Sequence, residues 1–125
     1  MTEKFLAATS ILILIFASLW QLPHSPATWF DEGINLGIAK SFIEKGVYSL
    51  QIAPNKFVEN RSFLITTNYP VLFPIATSIK LLGSNLLASR IPMVIFMWAF
   101  VLAVYTLTKR LYGKENAIMA MALIV

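Results

Sequence analysis

Two long apolar stretches constrain this sequence most, because each approaches the length needed to cross a bilayer as a helix. Residues 5–22 read FLAATSILILIFASLWQL, and residues 88–108 are centred on IPMVIFMWAFVLAVYTLT. Eighteen helical residues rise about 27 Å, close to the thickness of the hydrocarbon core. The whole chain is 58% hydrophobic and only 13% charged, unlike an average soluble domain. These features predict an all-α membrane protein.

The first stretch could also be a cleaved signal peptide, since Lys4 precedes it and residues 25–27 offer a small-residue cleavage site. The run is longer than a typical signal peptide, Glu3 offsets Lys4, and Pro26 falls inside the site. We therefore expect a retained span. Trp20 would then anchor its outer end at the interface.

A third apolar stretch begins at residue 116 and has run for about ten residues when the sequence ends at 125. A spanning helix needs about 20. We therefore expect the N-terminal part of a longer multi-pass protein. A complete small membrane protein is the alternative.

Sidedness follows from Lys109, Arg110 and Lys114, which directly follow the second stretch. Cytoplasmic loops carry an excess of Lys and Arg. This predicts a cytoplasmic N-terminus and an extracytoplasmic loop over residues 23–87, in a protein of the cell membrane.

Within that loop, residues 70–83 form a shorter apolar segment that contains Pro74 and Lys80. Apolar runs of this length are typical of interfacial or re-entrant segments. We expect a helix in the outer interface, with a short spanning helix as the alternative. Residues 47–68 lack helical periodicity, and we expect an irregular loop with turn-forming residues at 54–55 and 59–60.

A second interfacial helix is predicted over residues 32–45, with Asp31 as its N-cap and Gly46 as its C-terminal stop. Its apolar residues Ile34, Leu36, Ile38, Ala39, Phe42 and Ile43 form one broad side, and Lys40, Ser41 and Glu44 gather on the other. Such a helix suits a membrane surface. Packing against another part of the chain would give the same pattern.

The adjacent carboxylates Asp31 and Glu32 have two interpretations. They can cap the helix and favour the positive end of its dipole. They can also serve as a general base or hold a metal. Because adjacent helical residues point about 100° apart, one can cap while the other faces a site.

Other classes of function find little support. Cysteine is absent and His24 is the single histidine, so thiolate metal sites are excluded and we assign no metal ligands. The net charge of +4 comes without a basic cluster interleaved with aromatic residues, so no nucleic-acid partner is expected. The spans carry no charged residue between 5–22 or 91–108, which disfavours a transporter.

The pattern FDEG, then YPVLFPIATSIKLLG, then ASRIP, runs in one order over residues 30–92. It resembles the N-terminal part of GT-C type membrane glycosyltransferases. The likeness is to the dolichyl-phosphate-mannose protein mannosyltransferase and aminoarabinose transferase group. The resemblance implies transmembrane helices with amphipathic juxtamembrane helices in the first external loop.

The resemblance also implies an enzyme that uses a polyprenyl-phosphate-linked sugar as donor, with Asp31 as general base and Glu32 assisting. A divalent metal is left open, and the 125-residue piece is expected to be inactive alone. Residues 68–70 lack the lysine that many relatives use to hold the lipid phosphate. Lys56 and Arg61 are the candidate substitutes, with solvated loop charges as the simpler interpretation. A non-catalytic small membrane protein or subunit is the alternative function.

Overall fold

A computed structural model describes residues 2–24, 27, 30–58 and 69–124. Their elements, in chain order, are α1 (Thr2–Leu19), α2 (Phe30–Lys45), β1 (Gln51–Ala53), β2 (Lys56–Phe57), α3 (Tyr69–Leu82), α4 (Leu86–Tyr112) and α5 (Lys114–Ile124). The described part of the chain is 79% helical, consistent with the predicted all-α class. It forms two compact units, one from residues 1–21 and 93–125 and the other from residues 22–92.

The helix α4 is the one helix among the described residues that is long and apolar enough to cross a membrane. It has 27 residues. Its start is fixed by Asn85, whose Oδ1 accepts a hydrogen bond from the Ala88 N–H at 2.8 Å, as in a helix N-cap. Its end is fixed by Gly113, which has a φ of 88° and donates its N–H to Lys109 O.

The first predicted span ends earlier than expected, at Leu19 rather than at residue 22. Gln21 has a φ of 48°, which takes the backbone out of the right-handed helix. Leu22 precedes Pro23, and a residue before proline is disfavoured in the helical region. The apolar helix Lys4–Leu19 is therefore about 24 Å long at 1.5 Å per residue, somewhat less than the hydrocarbon thickness.

In the unit of residues 1–21 and 93–125, α1 packs against α5. The Trp98 indole N–H also donates to the Ser18 hydroxyl at 3.0 Å. Buried apolar residues of this unit include Val94, Val101, Ala117, Ile118 and Met121.

In the unit of residues 22–92, α2 packs against α3. The buried cluster comprises Ile38, Ala39, Leu72, Ile75, Ala76, Ile79 and Ala88. The apolar side of α2 is therefore covered by another part of the chain, which is the second of the two explanations for its periodicity. Ser41, which we predicted on the polar side, is only 4% exposed.

The C-terminal end of α2 confirms the predicted stop. The helix ends at Lys45, and Gly46 has a φ of 69° and donates its N–H to Phe42 O at 3.0 Å. Glycine adopts this left-handed conformation without the penalty that a Cβ brings.

The segment predicted as an irregular loop contains a short antiparallel hairpin of β1 and β2. Its turn lies at Pro54–Asn55, where turn-forming residues were recognised, and Asn55 has a φ of 58°. The strands are only three and two residues long, too short to show a clear alternating pattern in the sequence. The second predicted turn, at residues 59–60, lies outside the described residues.

Candidate functional site

The candidate site lies in the first turn of α2, where the two adjacent carboxylates are found. The helix begins at Phe30, one residue before Asp31, so Asp31 is inside the first turn rather than at the N-cap we predicted. Both carboxylates still lie at the positive end of the helix dipole. Their surroundings differ, because neighbouring helical residues point in different directions. Asp31 is exposed, whereas Glu32 is partly buried.

Glu32 is held by Arg90 in a two-point ion pair. Arg90 Nε donates to Glu32 Oε1 at 2.5 Å, and Nη2 donates to Oε2 at 2.8 Å. The side chains are 7% and 25% exposed for Arg90 and Glu32 respectively. Parallel N–H···O bonds of this kind are among the strongest and most directional in proteins. Both carboxylate oxygens of Glu32 therefore accept a hydrogen bond from the arginine.

Arg90 also reaches the segment that follows α1, since its Nη1 donates to Leu22 O at 2.7 Å. The guanidinium thus links the start of α4, the start of α2 and the backbone at Leu22. The ASRIP motif contains Arg90, but the sequence alone does not identify its partner. The available signal was its position: an arginine at the start of an apolar helix needs an acidic or carbonyl partner.

Asp31 has the opposite environment. It is exposed, and among the described residues no group forms a hydrogen bond or an ion pair with its carboxylate. A carboxylate in this position can accept a proton or a hydrogen bond from an incoming ligand. Taking a proton on Glu32 would instead weaken its ion pair with Arg90.

The structure does not bring Lys56 to this site. Lys56 is exposed in β2, and the hairpin lies beside the second half of α2, between Gly37 and Lys45. Those two residues are about 9 Å and about 21 Å along the helix axis from Asp31, at 1.5 Å per residue. Arg61 lies outside the described residues.

The part of the chain that the structure describes contains no preformed metal site. No three histidine or acidic side chains come together there in a group that could hold an ion. Asp31 and Glu32 are the nearest to such a set, and the Glu32 oxygens already accept hydrogen bonds from Arg90.

An aromatic cluster lies elsewhere in the same unit. The rings of Tyr48 and Tyr69 stack at 4.5 Å between centroids, and Phe42 makes an edge contact with Tyr48 at 6.2 Å. Burial raises the pKa of the Tyr48 phenol, and the nearby Tyr69 adds to that rise. The rings reinforce the packing of α2 on α3.

Comparison with known proteins gives no relative from which a function could be transferred. No family model matches the chain, and neither a curated protein nor a solved structure matches it.

Proposed function

We propose that this chain is the N-terminal part of a membrane glycosyltransferase that moves a sugar from a polyprenyl-phosphate-linked donor to an acceptor at the outer membrane face. The observation that carries the proposal is the division of roles between two adjacent carboxylates. Glu32 is fixed by Arg90, while Asp31 is exposed one position earlier in the same helical turn. A helical turn that is fixed by an ion pair and that exposes a second carboxylate suits a general base.

A membrane location is supported by α4. Only 11% of its most apolar window is buried, whereas the core helix of a soluble protein would be mostly buried. Large apolar side chains exposed on this helix include Ile95, Phe96, Phe100, Leu102, Leu107 and Leu111. Exposed apolar surface of this extent is typical of a lipid-facing or partner-facing helix.

The multi-pass topology belongs to the same proposal. The N-terminus is cytoplasmic, residues 23–87 are extracytoplasmic, and α3 lies at the outer interface. Lys109 and Arg110 in the last turn of α4 support this orientation through the positive-inside rule. Tyr69 and Phe73 of α3 are each 58% exposed, and aromatic residues are enriched at membrane interfaces.

In the proposed reaction, an acceptor hydroxyl or amide attacks the anomeric carbon of the donor sugar. A bond forms between the acceptor atom and that carbon, and the bond from the carbon to the phosphate oxygen breaks. The acceptor proton passes to Asp31, and the lipid phosphate leaves with the electron pair. Glu32 positions the turn through Arg90 rather than taking the proton. The position of Lys56 beside the second half of α2 argues against its holding the phosphate at Asp31, and Arg61 stays the candidate.

The test is the substitution Asp31→Asn in the full-length protein. Asparagine has the same size but lacks the basicity of the carboxylate. Transfer from a polyprenyl-phosphate sugar should fall by about 10²–10⁴-fold, with the melting temperature preserved. The matched control is Glu115→Gln, which neutralises an exposed carboxylate at the start of α5. Near-parental turnover in Asp31→Asn would remove this residue from the mechanism.

The second candidate function is a non-catalytic subunit of a membrane complex. The Glu32–Arg90 pair favours it, because a structural tie alone accounts for one of the two carboxylates. In that case Asp31→Asn would leave both assembly and stability unchanged, and no transfer would be detected with the parent protein.

A further inference from the structure

A groove of mixed polar and apolar lining separates α2 from the hairpin, on the opposite half of the helix from Asp31. Its volume is about 470 Å³, and it is lined by Gly37, Lys40, Ser41, Glu44 and Lys45 on one side and by residues 51–54 on the other. Sites for small ligands usually have volumes of this order. The helix side chains recur at three- and four-residue spacing, so they form one face.

Ser41 is the unusual member of this lining. Its residue surface is 4% exposed. Its hydroxyl is not among the fully buried polar atoms without a partner, a group that in the described residues comprises only the Ser78 hydroxyl, so the small surface that Ser41 exposes to the groove includes its hydroxyl. A hydroxyl that keeps some exposed surface can bond to water, so it carries no penalty for a buried unpaired group. Serine in the middle of a helix usually bonds back to a carbonyl of the preceding turn. A ligand in the groove would bond to this hydroxyl in place of water.

The charged groups of the groove supply both donors and acceptors. Lys40 and Glu44 form an ion pair at 3.9 Å, with both side chains 50% exposed. A pair so exposed is weak, so each group can turn to a ligand. Lys45 lies 3.5 Å from Asn55 Oδ1 and 5.8 Å from the centre of the Phe57 ring. These contacts place a second ammonium group beside the hairpin turn.

From this arrangement we infer that the groove binds a saccharide carrying one anionic group, a phosphate or a carboxylate. Sugar hydroxyls both donate and accept hydrogen bonds, which matches the Glu44 carboxylate and the Ser41 hydroxyl. Two lysines against one glutamate leave a single positive charge, which matches one anionic group. The inference concerns the second half of α2 and does not depend on the reaction proposed at Asp31.

The test is calorimetric titration of the chain in lipid nanodiscs with four probes: glucose 6-phosphate, glucuronate, glucose and inorganic phosphate. The two anionic sugars should bind at least tenfold more tightly than glucose or phosphate, because only they satisfy both the hydroxyl-recognising groups and the lysines. Equal affinity for inorganic phosphate would reduce the groove to a simple anion site and overturn the inference. An absence of binding by all four probes would overturn it as well.

Two variants separate the contribution of the Ser41 hydroxyl to ligand affinity from that of the Lys45 ammonium group. Ser41→Ala should weaken binding of glucose 6-phosphate about three- to tenfold, the loss expected for one hydrogen bond. Its melting temperature without ligand should equal or slightly exceed that of the parent, since alanine has the higher helix propensity. Lys45→Gln should weaken the anionic sugars about tenfold and leave glucose unchanged. Unchanged affinity in both variants would contradict the assignment of the groove.

The matched control is Lys80→Gln, which removes an exposed ammonium group from α3 outside the groove. Its affinity for glucose 6-phosphate should equal that of the parent. An equal loss of affinity in Lys80→Gln and Lys45→Gln would show that binding depends only on the net charge of the chain. That result would overturn the assignment of a ligand site to the groove.

Discussion

Glu32 and Arg90 lie 58 positions apart in the sequence and meet in a two-point ion pair, with donor–acceptor distances of 2.5 and 2.8 Å. The arginine binds a third group, the Leu22 carbonyl, through its remaining terminal nitrogen. One guanidinium therefore fixes three segments: the chain after α1, the first turn of α2 and the second turn of α4. The adjacent Asp31 takes its position from this tie.

Loss of the arginine should destabilise the unit of residues 22–92. Arg90→Gln removes the positive charge and leaves Glu32 partly buried without its partner. Breaking a buried pair in this way costs about 3–5 kcal/mol, and the 25% exposure of the Glu32 side chain places the expected loss near the lower end. Thermal or denaturant unfolding of the purified chain in detergent would measure it.

The paired variant provides the control. Glu32→Gln combined with Arg90→Gln should be less destabilising than the sum of the two single changes, since the double change leaves no unpaired charge. Arg90→Lys should also be destabilising, because an ammonium group cannot make the two parallel bonds. If the losses of stability in the two single variants add up to the loss in the double variant, the ion pair contributes little to stability.

The order and the approximate bounds of the helices could be predicted from the sequence because their signals are local. Gly46 was recognised as a stop for α2, and its left-handed φ of 69° is a property of that one position. Gly83, with a φ of 90°, ends α3 in the same way. Apolar composition likewise revealed α4 without reference to any other part of the chain.

The site could be predicted only in part because its geometry depends on distant residues. Asp31 and Glu32 were recognised from their composition and position, but nothing local distinguishes the exposed carboxylate from the paired one. The partner of Glu32 comes from a helix 58 residues later. Ser41 is a polar residue, so the sequence places it on the polar side of α2. Its burial depends on tertiary packing, which the helical periodicity of the sequence does not reveal.

Two glycine substitutions, one in the first turn of α2 and one directly after its last residue, test the local backbone. A Cβ at Gly33 meets nothing within 4 Å, so Gly33→Ala should stabilise the helix by about 0.5–1 kcal/mol. Gly46→Ala should destabilise it by about 1 kcal/mol, because its φ of 69° disfavours a side chain. Helicity and melting temperature by circular dichroism would show the opposite signs. A gain in both variants would contradict the left-handed conformation at Gly46.

The N-cap of α4 is a second local test. Asn85→Ala removes the side-chain acceptor for the Ala88 N–H and should cost about 1 kcal/mol. Asn85→Asp or Asn85→Ser should retain most of the stability, because each can accept the same bond. Equal losses in all three variants would argue against capping. Denaturant midpoints measured under one set of detergent conditions would provide the comparison.

The interface between α2 and α3 can be tested at Ile38, which is 1% exposed. Ile38→Ala should cost about 2–5 kcal/mol, from lost burial and from the cavity that remains. Ile52→Ala provides the contrast, since Ile52 is 65% exposed and its truncation should change stability by less than about 0.5 kcal/mol. Similar small losses in both variants would mean that the apolar side of α2 faces lipid rather than α3.

Sidedness follows from the charges at the end of α4, and the absence of cysteine allows it to be tested without background. Single cysteines at Lys56 and Lys114, both exposed, would be treated with a membrane-impermeant maleimide in intact cells. Lys56→Cys should react from outside, because the hairpin lies in the proposed external loop. Lys114→Cys should react only after permeabilisation, because it belongs to the basic group that the positive-inside rule places in the cytoplasm. Labelling of Lys114→Cys in intact cells would mean that α3 crosses the membrane as a short span, and the interfacial placement of α3 would be wrong.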